Sequence, residues 1–157
     1  MTKQLALVTG TSSGIGFELA KRFAQNGFDL LIVSEGERIN PAASEIQALG
    51  ANVQMVQADL ATHEGVHKLL LSIQSGGRPV DAALNAGVGI SGRFVETDLG
   101  EELAMVALNV TSTLHLAKYI VKEMVGRGRG RILFTASIAG AMLTPYETVY
   151  GATKAFV

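Results

Sequence analysis

Cysteine is absent from the 157 residues, which excludes disulfides, thiol catalysis and cysteine-ligated metal. An excess of one charge sign is missing as well. Thirteen Lys and Arg stand against fourteen Asp and Glu, a formal net charge of -1, so no electrostatic pull toward nucleic acid or a membrane surface follows. The one dense basic run, Arg127-Gly128-Arg129-Gly130-Arg131, has no interleaved aromatics and is a poor nucleic-acid signal. It reads as an exposed turn before a strand. Histidine is scarce: His63 and His67 have metal-friendly spacing, but no third ligand is in view and His115 has no partner along the chain. A solvated helix face is the expectation there, and no metal. No uninterrupted apolar run approaches the roughly 18 residues of a membrane helix, and residues 5–8 are too short for a signal-peptide core. A soluble cytoplasmic protein without a membrane or nucleic-acid partner is expected.

What is present is a core-forming composition: 48% of the residues are apolar and 17% charged, as in a folded globule. The pattern alternates strand and helix from one end to the other. Residues 5–8, 30–33, 53–56, 80–84 and 131–135 read as strands, the second without polar alternation, as when both faces are covered. Between the first two, Ile15, Leu19 and Phe23 recur at helical spacing, stopping at Asn26-Gly27. Asn40-Pro41 reads as an N-cap with proline in the first turn of a second helix ending at Leu49-Gly50. Thr62 caps a third, with Glu64 near its N-terminus and Ser75-Gly76-Gly77 at its end. Residues 98–124 form one long helical region with Leu103, Val106, Val110 and Leu114 on a stripe, and a last helix starts near Thr148. The order predicts an α/β fold, a doubly wound parallel sheet with right-handed crossovers, in a single domain over residues 1–157.

Two constellations carry chemistry. Gly10-Thr11-Ser12-Ser13-Gly14-Ile15-Gly16 lies between the first strand and first helix. Glycines there permit a tight turn and let a pyrophosphate approach the backbone at a helix N-terminus. Tyr150 and Lys154 lie four residues apart, on one face of a helix. An ammonium beside a phenol favours the phenolate, poising the pair to exchange a proton with a carbonyl or an alcohol. Tyr146 has Tyr150, not lysine, four residues on, and so lacks that activating charge.

The glycine turn resembles the Thr-Gly-x-x-x-Gly-Ile-Gly cofactor motif of the short-chain dehydrogenases/reductases, and Tyr150-x-x-x-Lys154 is similar to that family's catalytic pair. Asp59-Leu60 after the third strand and Asn85-Ala86-Gly87 after the fourth match further family segments. The resemblance spans essentially the whole chain. It implies a Rossmann-type fold and a nicotinamide cofactor held by Gly10, Ser13, Gly14, Ile15 and Gly16. Asp59 and Leu60 would lie by the adenine, with Asn85, Ala86 and Gly87 bordering it. Ser137 would orient the substrate oxygen, and Asn109 would disturb its helix and hold a water leading to Lys154. Tyr150 would be the acid/base, with Lys154 as its activator and ribose contact. Glu35, nineteen residues beyond Gly16, can accept from ribose hydroxyls. It tilts the choice between NAD and NADP toward NAD, with Arg38 close by as a counterweight. The implied activity is interconversion of a small-molecule alcohol and a ketone or aldehyde, and the expected assembly is a homo-oligomer. Alternatives are an inert nucleotide-binding fragment or a cofactor sensor. Family members continue past the position of Val157 through strands and helices that build most of the substrate pocket, so residues 1–157 alone are expected to be weakly active or inactive.

Overall fold

A computed structural model describes residues 3–157. Five strands, β1 (Leu5–Thr9), β2 (Asp29–Ser34), β3 (Val53–Gln57), β4 (Val80–Leu84) and β5 (Ile132–Phe134), form one sheet. Its order is β3-β2-β1-β4-β5, and every pairing is parallel. The order reverses between β1 and β4, which opens a crevice beyond their carboxyl ends.

Strand alternation sorts the core into two layers. Leu7, Leu31 and Val33 join Leu69, Ile73, Leu116 and Ile120 of helices α3 (His63–Gly76) and α5 (Thr113–Gly126) on one face. Ala6, Val8, Leu30 and Ile32 meet Ala20, Ala24 and Ile46 of α1 (Gly14–Gln25) and α2 (Ile39–Ala48) on the other. The two central strands are apolar on both faces because both faces are covered. The remaining helices are α4 (Leu99–Val106) and α6 (Thr148–Phe156).

Local signals placed most boundaries. The Thr62 side chain accepts from Gly65 N at the start of α3, and Gly77 closes it in the left-handed conformation, φ 58°. The start of α2 differs from expectation: it begins at Ile39 behind Arg38, and Asn40 lies inside its first turn. A preceding turn, with Ile39 N bonded to Gly36 O and Asn40 N to Glu37 O, has already satisfied those amides without an Asn cap. Pro41 still sits where no intrahelical N–H is needed.

Two buried faces also differ. In α1 the inward residues are Gly16, Ala20 and Ala24, while Ile15 is 63% exposed and Leu19 and Phe23 pack at the flank. Small residues let the helix lie close on the sheet, and the larger ones are displaced to its sides. Along the long helical region the inward residues are Met105, Asn109, Ser112, Leu116, Ile120 and Met124. On the expected stripe, Leu103 is 59% and Leu114 54% exposed. This region is apolar nearly all round, so periodicity alone does not choose its buried side. By length and composition the helical region Leu99–Gly126 could cross a membrane, its most apolar 18-residue window having a mean hydropathy of 1.2, though charged residues interrupt the region as a whole.

Candidate active site

The glycine turn is pinned from both sides. Gly10 N donates to Val33 O at 2.9 Å, and buried Thr11 donates through Oγ1 to the same carbonyl at 3.2 Å. Thr9 Oγ1 accepts from Asn85 N and Ala86 N, both at 2.9 Å, and Asn85 Nδ2 donates to Thr9 O at 3.2 Å. The ends of β1, β2 and β4 are thereby fastened into one rim.

The three motif glycines serve this rim differently. Gly10 has φ 72°, and a Cβ on it would lie 2.9 Å from Ala86 Cα. Gly14 has φ 60° with open space where a Cβ would stand, and a Cβ on Gly16 would overlap the Gly10 carbonyl. Helix α1 starts behind Ser13, whose side chain makes no capping bond, and no acidic residue occupies its first turn. Its free amides and positive dipole end are therefore available to an anion.

A cleft of about 520 Å³ runs from this turn across the carboxyl ends of the strands. Gly10, Ser13 and Ile15 line one wall, Glu35, Asp59 and Leu60 another, and Asn85, Ala86 and Gly87 the floor. Ser137, Tyr150 and Lys154 close the far end. Gly14, Gly16 and Asn109 do not line it. Asp59 turns one carboxylate oxygen inward on the chain, Oδ1 accepting from Ala61 N at 2.8 Å.

At the far end Tyr150 and Lys154 share helix α6. Lys154 is 9% exposed. Its Nζ donates to Thr135 O at 3.0 Å and stands 5.9 Å from the centre of the Tyr150 ring. Burial pushes its ammonium below the ordinary lysine range. A Cβ on Gly87 would lie 3.3 Å from Lys154 Nζ, and one on Gly89 would lie 3.3 Å from the Tyr150 ring, so small residues leave room for both groups. Ser137 caps a short 3-10 turn (Ile138–Gly140), its Oγ accepting from Ala139 N at 3.2 Å. The hydroxyl hydrogen is not used in that contact. Tyr146 has φ 66° and its carbonyl accepts from Gly92 N at 2.8 Å; its ring is 62% exposed.

Asn109 sits behind the cleft in a π-helical turn, Ala107–Ser112, joining α4 to α5. Its Oδ1 accepts from Val88 N at 3.0 Å, and Nδ2 donates to Val88 O at 2.9 Å and to Thr153 Oγ1 at 3.0 Å. Both amide protons are spent on protein, so the side chain has none left to donate to a water. The helix is π-helical at this position, and the Asn109 amide is a tie between segments. Thr153 Oγ1 donates in turn to Tyr150 O at 2.8 Å.

Sequence reasoning missed Thr153 and Thr135 and gave no role to Thr9 within its motif, though all three hold the pieces in register. For Thr153 the available signal was a hydroxyl on the inward side of a short helix, one residue before Lys154.

The short chain dehydrogenase family model matches residues 4–157. An uncharacterized oxidoreductase of Staphylococcus epidermidis is 30% identical over 157 residues, covering 99% of this chain and 67% of that protein. Among solved structures, the bulky-bulky ketone specific alcohol dehydrogenase of Comamonas testosteroni superposes with a TM-score of 0.93 at 32% identity. That match covers 100% of this chain and 64% of the other. The L-sorbose reductase of Gluconobacter frateurii, complexed with NADPH and L-sorbose, gives 0.90 at 33% identity, covering 99% and 60%. The chain thus spans about two thirds of the length of these proteins. With the family's sequence pattern matched over residues 4–157 and its fold reproduced at a TM-score of 0.93, this chain belongs to the short-chain dehydrogenase family.

Proposed function

We propose that the protein is a nicotinamide-dependent oxidoreductase that interconverts an alcohol and a ketone or aldehyde, with NAD as its cofactor. The observation that carries this reading is one continuous cleft with the glycine turn at one end and Tyr150 and Lys154 at the other. A dinucleotide fits the residues present. Left-handed Gly10 and Gly14 shape a turn open to its pyrophosphate, and the start of α1 offers uncapped amides without a competing carboxylate. Glu35 on the same cleft is placed to accept from ribose hydroxyls and would repel a 2′-phosphate. The L-sorbose reductase holds NADPH, so the preference rests on this chain's own acidic residue.

When bound, the nicotinamide supplies or accepts the hydride. The chain's part is proton movement and orientation. Tyr150 gives its phenolic proton to the carbonyl oxygen in reduction and takes it back in oxidation. The Lys154 ammonium stabilises the phenolate left behind and contacts the ribose. Ser137, its Oγ already accepting from Ala139 N, directs its own proton at the substrate oxygen. Asn109 is a positioning residue, acting on the proton path through Val88 and Thr153.

The test is a titration with NADH and NADPH, followed by turnover on a panel of ketones and alcohols. NADH binding more tightly and turnover dropping at least about a hundredfold in Tyr150→Phe, with cofactor affinity kept, is the expected result. Tighter NADPH binding reverses the cofactor choice. Substantial turnover in the variant removes Tyr150 from the chemistry, and binding without turnover by the unaltered protein favours the inert nucleotide-binding fragment or the cofactor sensor.

A further inference from the structure

We infer that the sheet end opposite the cofactor cleft is a binding site for a small polyphosphate-bearing anion. The starting observation is a second cleft, about 630 Å³, at the amino ends of β1, β4 and β5. Lys3, Arg78, Arg127, Arg129 and Arg131 all line it, which is five of the chain's thirteen basic residues. Asp81 is the carboxylate on its wall. Counting also Asp29, which pairs with Arg78, three positive charges remain in excess. The molecule as a whole carries a net charge of -1, so this is a local concentration and no general basicity.

Three of the four arginines are held in place. Arg78 Nη2 donates to Lys3 O at 2.6 Å and to Asp29 Oδ2 at 2.9 Å. Arg127 donates through Nε to Arg129 O at 2.8 Å and through Nη2 to Val80 O at 2.7 Å. Arg131 Nε donates to Asp81 Oδ2 at 3.1 Å. The turn that carries three of them is fastened to the end of α5: Gly128 N bonds Val125 O and Arg129 N bonds Met124 O, each at 3.1 Å. At Gly130 a Cβ would overlap the Met124 side chain, so a larger residue there would have to displace that side chain of α5. Each guanidinium has five N–H groups, and those used above leave others for a ligand. The Arg129 guanidinium enters no ion pair among the described residues.

Fixed guanidinium forks match phosphate oxygens two at a time, and less side-chain freedom is lost on binding when the forks are already ordered. The cleft volume is that of a small-molecule site, which favours a compact ligand with several phosphates over a nucleic acid strand.

The experiment is calorimetric titration with inorganic tripolyphosphate and inorganic phosphate on the protein and on Arg129→Gln and Arg129→Glu, at about 0.15 M salt. Arg129 is the residue to change because its side chain holds no other part of the fold. Tripolyphosphate binding at least about tenfold tighter than phosphate, weakened about tenfold in Arg129→Gln and lost in Arg129→Glu, is expected. NADH affinity stays unchanged in both variants, which separates this cleft from the glycine turn. Equal tripolyphosphate affinity in all three proteins would overturn the assignment, as would no preference over phosphate. So would an Arg129-dependent affinity for single-stranded RNA exceeding that for tripolyphosphate. ATP as a further probe distinguishes a nucleotide, bound more tightly than tripolyphosphate, from the free polyphosphate, bound equally.

Discussion

Gly14 and Gly16 stand two residues apart in one motif, yet different constraints require each to be glycine. Gly14 is needed for its left-handed φ of 60° and faces open space, whereas Gly16 is needed because a Cβ would overlap the Gly10 carbonyl. An alanine at 14 meets a backbone cost of about 1–2 kcal/mol. At 16 it forces the turn and helix α1 apart, an overpacking cost of about 1–3 kcal/mol concentrated where β1, β2 and β4 are tied. Gly16→Ala should lower the melting temperature more than Gly14→Ala, on the order of 2–4 °C per kcal/mol for a chain of this size. A thermal melt of the two variants side by side checks this. A smaller drop for Gly16→Ala would mean that the turn relaxes around the added methyl. The glycine pattern was legible in the sequence; the division of labour was not, because it depends on how the turn folds the Gly10 carbonyl back against the start of α1.

The π-helical turn and α6 make sense only as a pair of elements. Asn109 is 1% exposed, and its second amide proton goes to Thr153 Oγ1, tying the long helix to the one that carries Tyr150 and Lys154. Thr153→Val removes the acceptor and leaves a buried N–H unpaired, a loss of about 1–3 kcal/mol. Thr153→Ser keeps the acceptor and should retain most of the stability. Denaturant unfolding of both variants is the measurement, and equal losses would show that the Thr153 methyl, rather than its hydroxyl, matters. Asn109 drew attention in the sequence through the family resemblance, with the low helix propensity of asparagine as mild support. Thr153 did not, since its hydroxyl meets a partner 44 residues away that no local pattern places beside it. The face each long helix buries was likewise illegible: Leu114 and Leu116 are equally apolar, and packing of α5 against α3 and the sheet decides which goes inside.

Across the whole molecule, Asp29 at the start of β2 gathers distant segments. It accepts from Asn52 N and Asn52 Nδ2, both at 3.2 Å, and pairs with Arg78 at 2.9 Å. Burial by itself would raise its pKa, but the bonds from Asn52 and Arg78 outweigh it and hold the carboxyl below the ordinary aspartate value. Because the folded-state pKa lies below the unfolded one, the stabilisation is present above about pH 4. It is lost as the pH falls from there through the lowered value. Asp29→Asn should cost about 1–3 kcal/mol at pH 7, and its stability should depend less on pH between about 4 and 2. Urea unfolding of both proteins over that range tests it, and parallel pH profiles would remove Asp29 from the acid response.

The sequence by itself determined what one or two turns of chain can encode. The strand–helix alternation, the Thr62 cap, the left-handed Gly77, the glycine turn after β1 and the four-residue spacing of Tyr150 and Lys154 all depend on local φ values and hydrogen bonds. Only the tertiary structure decided which faces are buried, how Asn109 spends its amide, and that Lys3 and Arg78 join the arginines of residues 127–131 around one cleft. The physical reason is the same in each case. Such contacts join segments tens of residues apart, and a parallel sheet brings them together by stacking strand ends that no local pattern can place.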